Sequence, residues 1–304
     1  MGLLIRPIEP VFFRWYGEYS PNFSGPMNKG ISEPLPLVST VLGAIYRKYV
    51  GIKTLTPQNE IQEFEKTFVD VWGPVIYVKG VYAKRETQKG EFIMVHDFPG
   101  KLLLLEKRED RVVLARDEDG NPIKIEPAEI NRIGIGRDLG RGSSKEHMLY
   151  SSKLEDLNAT VIRNFKEVET WGIYLEMPIS FDGVIEIGGE GRVAKVSEVS
   201  LSLNKGGGKS VLVSPALIPL TDNVRITSLD DVLKLKVDDV EVKDILMSGK
   251  LGVIGTGFSM SVGARRPMYP AILPGAILKV NAKRKLGELS KLGWGSLLQF
   301  DEGE

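Results

Sequence analysis

An α+β fold is predicted by three observations on the 304-residue sequence. The last third spells strand, helix, strand, strand, helix, strand. The first part opens with a strand followed by two amphipathic helices and another strand, and residues 84–150 break into short hairpin-like runs. The order in the last third is the ferredoxin-like pattern. The reading is therefore two related ferredoxin-like domains, residues 1–205 and 206–304, with a β-rich insertion at about 84–150 in the first.

Bulk numbers agree with a globular chain: 42% of residues are hydrophobic and 26% charged, which excludes the disordered and fibrous classes. Forty basic residues balance forty acidic ones, so no global positive field draws the protein to a polyanion and any such site is a local patch. The sequence has no cysteine, which excludes disulfides, thiolate metal sites and cysteine nucleophiles and fits a reducing or hot interior. Arg6 and Pro7 interrupt the apolar start too early for a signal peptide, and no apolar run is long enough for a bilayer. A soluble, cytoplasmic protein is expected.

Leu3 to Phe13 reads as an opening strand bent by Pro7 and Pro10. Residues 14–36 mix Trp15, Tyr16, Tyr19 and Phe23 with glycines and prolines, a long irregular loop of the kind that is usually functional or disordered. Its aromatics suit base stacking, a partner surface, or a return to the core. A helix is expected from Ser39 or Thr40, with Val41, Leu42, Ile45, Tyr46 and Tyr49 at helical spacing and Gly51 as its stop. Thr56-Pro57 caps a second helix through Ile61, Phe64 and Phe68. Val75 to Tyr82 is a strand.

Within the insertion, Phe92–Val95, Leu102–Leu105 and Val112–Ala115 read as strands, with Asp119-Gly120 as a turn. Gly134, Gly136, Gly140 and Gly142 then interleave with Arg137, Arg141 and Lys145 in a flexible basic segment, suited to gripping phosphates or to being a plain mobile loop. Trp171–Met177 and Val193–Leu203 are strands. The last third contributes Val211–Ile218, Leu251–Phe258, Ile272–Val280 and Ser296–Phe300 as strands, with short helices at Ser228–Leu235 and Lys285–Leu292.

Between two of the strands lies Ile185 to Val196, I-E-I-G-G-E-G-R-V-A-K-V. Gly188, Gly189 and Gly191 permit positive φ and close approach, so successive N–H groups can converge on an anion, and Arg192 adds a planar five-donor fork. A phosphate loop and a tight turn with a solvated arginine both fit. Other motifs fail. Gly206-Gly207-Gly208-Lys209-Ser210 lacks the first P-loop glycine, since position 203 is leucine, and a β-like segment follows it. Gly189, Gly191 and Ala194 match a dinucleotide fingerprint but precede no clear helix. His96 and His147 have no metal-ligand spacing, although a histidine base remains open to them. Asp230-Asp231 and Asp238-Asp239 read as solvated caps sooner than as a cation site. Arg265-Arg266, Lys279, Lys283-Arg284-Lys285 and Lys291 form a basic tail end, so the surface is divided by sign and one face suits RNA.

Several segments resemble the RAMP superfamily of CRISPR proteins and, within it, the third-subunit family of the type III-B (Cmr) effector complex. Ile8-Glu9-Pro10-Val11-Phe12-Phe13-Arg14 is similar to that family's opening strand, and Leu35-Pro36-Leu37-Val38-Ser39-Thr40-Val41-Leu42-Gly43-Ala44 to its first helix. Gly188-Gly189-Glu190-Gly191-Arg192 resembles its central glycine motif. Val213-Ser214-Pro215-Ala216, Pro274-Gly275-Ala276-Ile277 and Leu292-Gly293-Trp294-Gly295-Ser296 resemble segments that follow it. The resemblance implies paired ferredoxin-like domains, no nuclease activity, no cofactor, a grip on the 5′ tag of CRISPR RNA, and docking to the large palm-domain subunit beside neighbouring RAMP subunits. Relatives that cleave RNA commonly use a histidine near the first helix, and residues 1–95 contain none. The RNA-binding residues expected are Gly188, Gly189, Gly191, Arg192, Arg137, Arg141, Lys145, Arg265 and Arg266. The alternative is a metal-independent endoribonuclease acting on repeat RNA through His96 or His147.

Overall fold

The structure, a computed structural model, describes residues 1–304 except 16–28, 31, 52–55, 85–88, 110, 138–143, 204–207, 220–227, 260–262, 281–283 and 303–304. In a few strand segments, including 133–137, 144–152 and 264–265, only the backbone path is described. Strand β1 (Gly2–Pro7) leads, after the excursion that follows it, to helix α1 (Val38–Tyr49). Val38, Val41, Leu42, Ile45 and Tyr46 form its buried stripe, and Arg47 and Lys48 sit in its last turn, where cations complement the helix dipole. Gly51, at φ 88°, ends it. Helix α2 (Pro57–Thr67) starts as expected, with proline in its first turn and a box in which the Thr56 N–H donates to Asn59 Oδ1 at 2.7 Å. Phe64 stacks on Tyr46 with centroids 4.7 Å apart, which fastens α2 to α1.

The chain then supplies β2 (Trp72–Tyr82), β3 (Gly90–Asp97), β4 (Lys101–Arg108), β5 (Arg111–Leu114), β6 (Ala128–Arg137), β7 (Ser144–Asp156), α3 (Leu157–Asn164), β8 (Phe165–Glu176), β9 (Gly183–Glu186) and β10 (Val193–Val199). Nine strands join in one antiparallel sheet, in the order β9-β10-β1-β8-β2-β3-β4-β5, with Lys124–Ile125 pairing on β4. The hairpin strands of residues 90–114 thus continue the main sheet. The basic segment is also more regular than expected, because Arg137 and Lys145 lie in the paired strands β6 and β7. These two strands and Lys29–Gly30, which runs parallel to β7, form a separate three-stranded sheet.

Strand alternation explains how the main sheet is buried on both faces. Leu3, Ile5, Ile76 and Val78 face the cluster containing α1 and α2, while Leu4, Val75, Tyr77 and Tyr174 face Val211, Val213, Leu298 and Phe300. That second layer comes from the last hundred residues.

Those residues form β11 (Gly208–Leu212), β12 (Ala216–Leu217), α4 (Leu229–Leu233), α5 (Val242–Ile245), β13 (Leu246–Ser248), β14 (Leu251–Gly255), β15 (Met268–Ile272), β16 (Ile277–Val280) and β17 (Leu297–Gln299). Two antiparallel sheets result, β13-β16-β11-β17 and β12-β15-β14. Three chain segments, 208–217, 246–255 and 268–280, run through both, and β17 belongs to the first sheet alone. The first and last of these segments are interrupted between their halves, β11 from β12 around Pro215 and β15 from β16 around Pro274, where a missing N–H breaks the ladder. The Gly275 N–H still donates to the Leu212 carbonyl and the Leu212 N–H to that of Ala276, at 2.9 and 2.8 Å. The expected continuous strand Ile272–Val280 is therefore a bent pair. Ser228 caps α4 as expected, sharing a reciprocal box with Asp231. The expected helix Lys285–Leu292 is absent except for a 3₁₀ turn at Ser290–Leu292. Gly287 and Leu289 are left-handed, at φ 80° and 55°, and an α-helix cannot pass through them.

Candidate nucleic-acid interface

The stretch Glu9–Phe13 joins three segments that lie far apart in the sequence. Val11 exchanges both backbone hydrogen bonds with Glu155 of β7, at 2.9 and 2.8 Å. The Phe12 carbonyl accepts from the Gly189 N–H at 3.2 Å. Phe13 receives the strand returning from the aromatic excursion: its N–H donates to Ser32 Oγ at 3.0 Å and its carbonyl accepts from the Glu33 N–H at 2.9 Å. Glu9 pairs with Arg192. The glycine loop, the base of the basic hairpin and the base of the aromatic excursion therefore share one short piece of chain.

In the glycine loop, Gly188 has φ 78°, and a Cβ there would stand 2.9 Å from the Phe12 carbonyl oxygen. Only glycine permits that approach. Gly189 to Gly191 form a single 3₁₀ turn, closed by the Ile187 N–H on the Arg192 carbonyl at 2.7 Å. Gly191, at φ 66°, faces open space. Arg192 is mostly covered, its side chain 12% exposed against Glu9. Its fork, expected to project at a phosphate, instead ties the loop to the opening strand.

Of the hairpin residues, Arg137 and Lys145 are placed by their backbone at facing ends of β6 and β7, with Ser144 opposite Arg137, and Arg141 lies outside the described residues. The pairing thus brings Arg137 and Lys145, eight positions apart in the sequence, to the same end of the hairpin. Arg265 and Arg266 part company. Arg265 pairs with Phe258 by backbone in a short ladder. Arg266 makes a bidentate pair with Glu60 of α2 at 3.0 and 2.9 Å and lies over the Phe64 ring at 5.5 Å, so it serves as an intramolecular tie.

Three further basic residues of the tail end are similarly committed, whereas Lys279 is exposed on its strand and Lys283 lies outside the described residues. Lys285 reaches Asp70 at 2.5 Å, Arg284 reaches Glu176 at 3.2 Å and Asp70 at 3.5 Å, and Lys291 reaches Glu65 at 3.9 Å. Burial lowers the Lys285 ammonium, and Asp70 opposes that shift. This cluster, read from the sequence as an RNA-facing excess of charge, joins the C-terminal segments to α2, β8 and the turn before β2.

Sequence inspection did not find the buried groups behind the interface. Glu33 and His96 have side chains 1% exposed, with His96 Nε2 2.7 Å from Glu33 Oε2, and the same oxygen accepts from the Gly100 N–H at 2.8 Å. Trp15 stands edge-on to His96 with centroids 4.6 Å apart, and its indole N–H donates to the Leu35 carbonyl at 2.7 Å. Beside them the Glu155 carboxyl is pushed up to about 8, chiefly by burial, then by the charges of Glu129 and Glu33, with Lys153 opposing. Glu33 and His96 are 63 positions apart, and no local periodicity links them. His96 carries one sequence signal, a polar residue closing the apolar run Phe92–Val95, and Glu33, between Ser32 and Pro34, carries none. The histidine-base reading loses His96, which is enclosed away from solvent; the His147 side chain lies outside the described residues. Among the described residues no group of three or more His, Asp or Glu side chains is placed to hold a metal ion, and no helix is long and apolar enough to cross a membrane.

No family model matches the chain. A curated relative is the CRISPR system CMR subunit Cmr3 of Saccharolobus solfataricus, 26% identical over 290 residues that span 91% of this chain and 85% of the relative. The chain resembles Cmr3. Two solved structures share the fold. One is a chain of a type III-B Cmr-beta assembly bound to cognate target RNA and AMPPnP, with TM-score 0.62 and 22% identity; the other is a chain of Cmr-beta bound to cognate target RNA, with TM-score 0.60 and 20% identity. Each alignment covers 92% of this chain and 86% of the other. The Cmr3-like chain thus shares the fold of these Cmr-beta chains and is of α+β class, and the likeness to Cmr3 agrees with the resemblance of the sequence motifs.

Proposed function

We propose that this chain is a non-catalytic RNA-binding subunit of a type III-B CRISPR effector complex in the cytoplasm, gripping the 5′ tag of CRISPR RNA and docking to the large palm-domain subunit and neighbouring RAMP subunits. The convergence of the glycine loop, the basic hairpin and the aromatic excursion on Glu9–Phe13 carries the reading, since it puts one open glycine turn beside the bases of a basic and an aromatic segment. Arg137, Arg141 and Lys145 hold the RNA backbone from the hairpin. Gly188, Gly189 and Gly191 offer a close-approach surface, and Arg192 sets its position through Glu9. Arg265 is taken as a further contact to the RNA backbone, whereas Arg266 acts on stability. The aromatic excursion meets bases or a neighbouring subunit.

The same reading takes residues 1–205 and 206–304 as paired ferredoxin-like domains. In its support, the first and third strands of each half pair at the centre, flanked by the fourth and the second: β10-β1-β8-β2 in the first half, and β17-β11-β16-β13 in the second.

Reversing Arg137, Arg141 and Lys145 to glutamate should weaken binding of tag-bearing RNA to the assembled complex. It should also shrink the slope of log affinity against log salt by about 2, the share of three phosphate contacts on a single strand. An unchanged slope would remove the hairpin from the RNA path. Cleavage of repeat RNA by the purified chain without magnesium, lost in His147→Ala, would overturn the non-catalytic reading.

A further inference from the structure

The residues that hold the interface elements together include three buried titratable groups that contribute nothing to a direct RNA contact. Glu33 enters from the strand returning out of the aromatic excursion, His96 from β3, and Glu155 from the base of the basic hairpin. All three are buried to 2% exposure or less. With the proton assigned to His96 Nε2, one Glu33 oxygen takes two donors, His96 and the Gly100 N–H, an arrangement that suits a carboxylate. The other Glu33 oxygen and Glu155 Oε2 find no hydrogen-bond partner among the described residues. Burial with one oxygen unpartnered, and the negative charges of Glu129 and Glu33 nearby, favour the uncharged form of Glu155.

We propose that Glu33, His96 and Glu155 form a buried latch that fixes the bases of the aromatic excursion and the basic hairpin only while Glu155 is uncharged. The latch rests on the RNA-binding reading above for its purpose, and on its own geometry for its existence. Its mechanical links are short. Glu33 sits between Ser32 and Leu35, which hold Phe13 and Trp15; Trp15 leans on His96; the backbone of Glu155 is paired to Val11. Ionising Glu155 sets a second charge beside Glu33 and pushes apart the two strands that meet on Val11 and Phe13. The charged groups acting on Glu155 are Glu129 on β6, Lys153 on β7 itself and Glu33; Lys153 is held by Glu129 at 2.6 Å and is half exposed, so it does not neutralise the inner carboxyl. Glu155 is a positioning residue in this scheme.

The test uses the full chain at pH 6.5 to 9, with two readouts. Amide exchange at Val11, Phe13 and Glu155 should speed up by about tenfold or more as the pH passes 8, beyond the ordinary base-catalysed rise measured at amides of α1. Binding of tag-bearing RNA should weaken several-fold over the same interval. Glu155→Gln, which keeps the shape and removes the charge, should hold both readouts flat after that correction, while Glu155→Ala, which also loses the packing, should exchange fast at every pH. A wild-type rise at Val11 and Glu155 no greater than at α1, or a Glu155→Gln protein as pH-sensitive as wild type, overturns the latch. If the chain binds no RNA at any pH, the RNA reading fails on its own and the exchange readout still decides the latch.

Discussion

At Gly188 the left-handed backbone and the Phe12 carbonyl act together, whereas at Gly191 only the backbone constrains the residue. An alanine at 191 pays a left-handed penalty of about 1 kcal/mol. At 188 it adds a clash with backbone that cannot turn aside, so Gly188→Ala should lower stability by about 2–3 kcal/mol in urea unfolding and Gly191→Ala by less than half of that. Equal losses would mean that the Phe12 contact is soft. Glu155 works in the opposite direction. Its carboxyl is raised from 4.5 to about 8. Between those values the unfolded chain releases a proton that the folded chain keeps, so stability present at acid pH is lost as the pH rises through the window and levels off above about 8. Glu155→Gln removes that loss but buries an amide, so the variant should gain about 1–2 kcal/mol at pH 7 and nothing near pH 4. A gain of the same size at both pH values would assign the effect to packing.

Among the elements, the tie between α2 and the loop before β15 separates two roles for an arginine. Glu60 has a side chain 8% exposed and depends on both arms of the Arg266 fork. Arg266→Ala removes both guanidinium bonds from a nearly buried carboxylate and should cost about 3 kcal/mol, and Arg266→Lys, which cannot make two parallel bonds, about 1–2 kcal/mol. RNA binding by the folded fraction should stay unchanged in both; a binding loss at full stability would return Arg266 to the RNA path. Elements with a full-length periodic face were legible in the sequence: α1 through Val41, Leu42, Ile45 and Tyr46, β2 and β8 through their apolar runs, and α4 through its Ser228 cap. Helix α3 was missed because its eight residues include Asn158, Thr160, Arg163 and Asn164 and carry too short a stripe. The β6–β7 hairpin was read as a loop because Gly134, Gly136, Gly140 and Gly142 signal breaks, and the long partner strand that overrides them is visible only in the fold. Of the interface, the glycine positions and the hairpin charges could be read locally. The burial of Arg192 against Glu9 could not, since that contact spans 183 residues.

For the whole molecule, the decisive feature is that both halves need the same core. Val211, Val213, Leu298 and Phe300 are buried against Leu4, Val75, Tyr77 and Tyr174 of the main sheet, so neither half can expose its inner layer without uncovering the other's. Polar contacts fix the register of this seam. The Trp72 indole donates to the Leu297 carbonyl at 2.9 Å, and the Gly73 N–H donates to Ser296 Oγ at 3.2 Å, whose own hydroxyl donates to Gly293 at 2.8 Å. Ser214 Oγ donates to the same Gly293 carbonyl at 2.7 Å and accepts from the Ser296 N–H at 3.0 Å. The motifs V-S-P-A and L-G-W-G-S, which carried part of the family resemblance, are thereby explained as the second half's side of one structural joint, met by Trp72 and Gly73 of the first half. Gly295 fits there because a Cβ would stand 1.8 Å from the Leu286 carbonyl. Such a joint couples the halves, so unfolding in urea should follow one transition, coincident when monitored by far-ultraviolet dichroism and by tryptophan emission. Trp15, Trp72 and Trp171 belong to the first half and Trp294 to the second, where it is buried in the core cluster that also holds α1 and α2. Ser296→Ala removes one donor and one acceptor from a buried network, leaving the Gly73 N–H without its partner, and should shift both probes together by about 1–3 kcal/mol. Two separated transitions, in the wild type or in Ser296→Ala, would mean that the halves are stable apart and that the shared layer is only a contact between them.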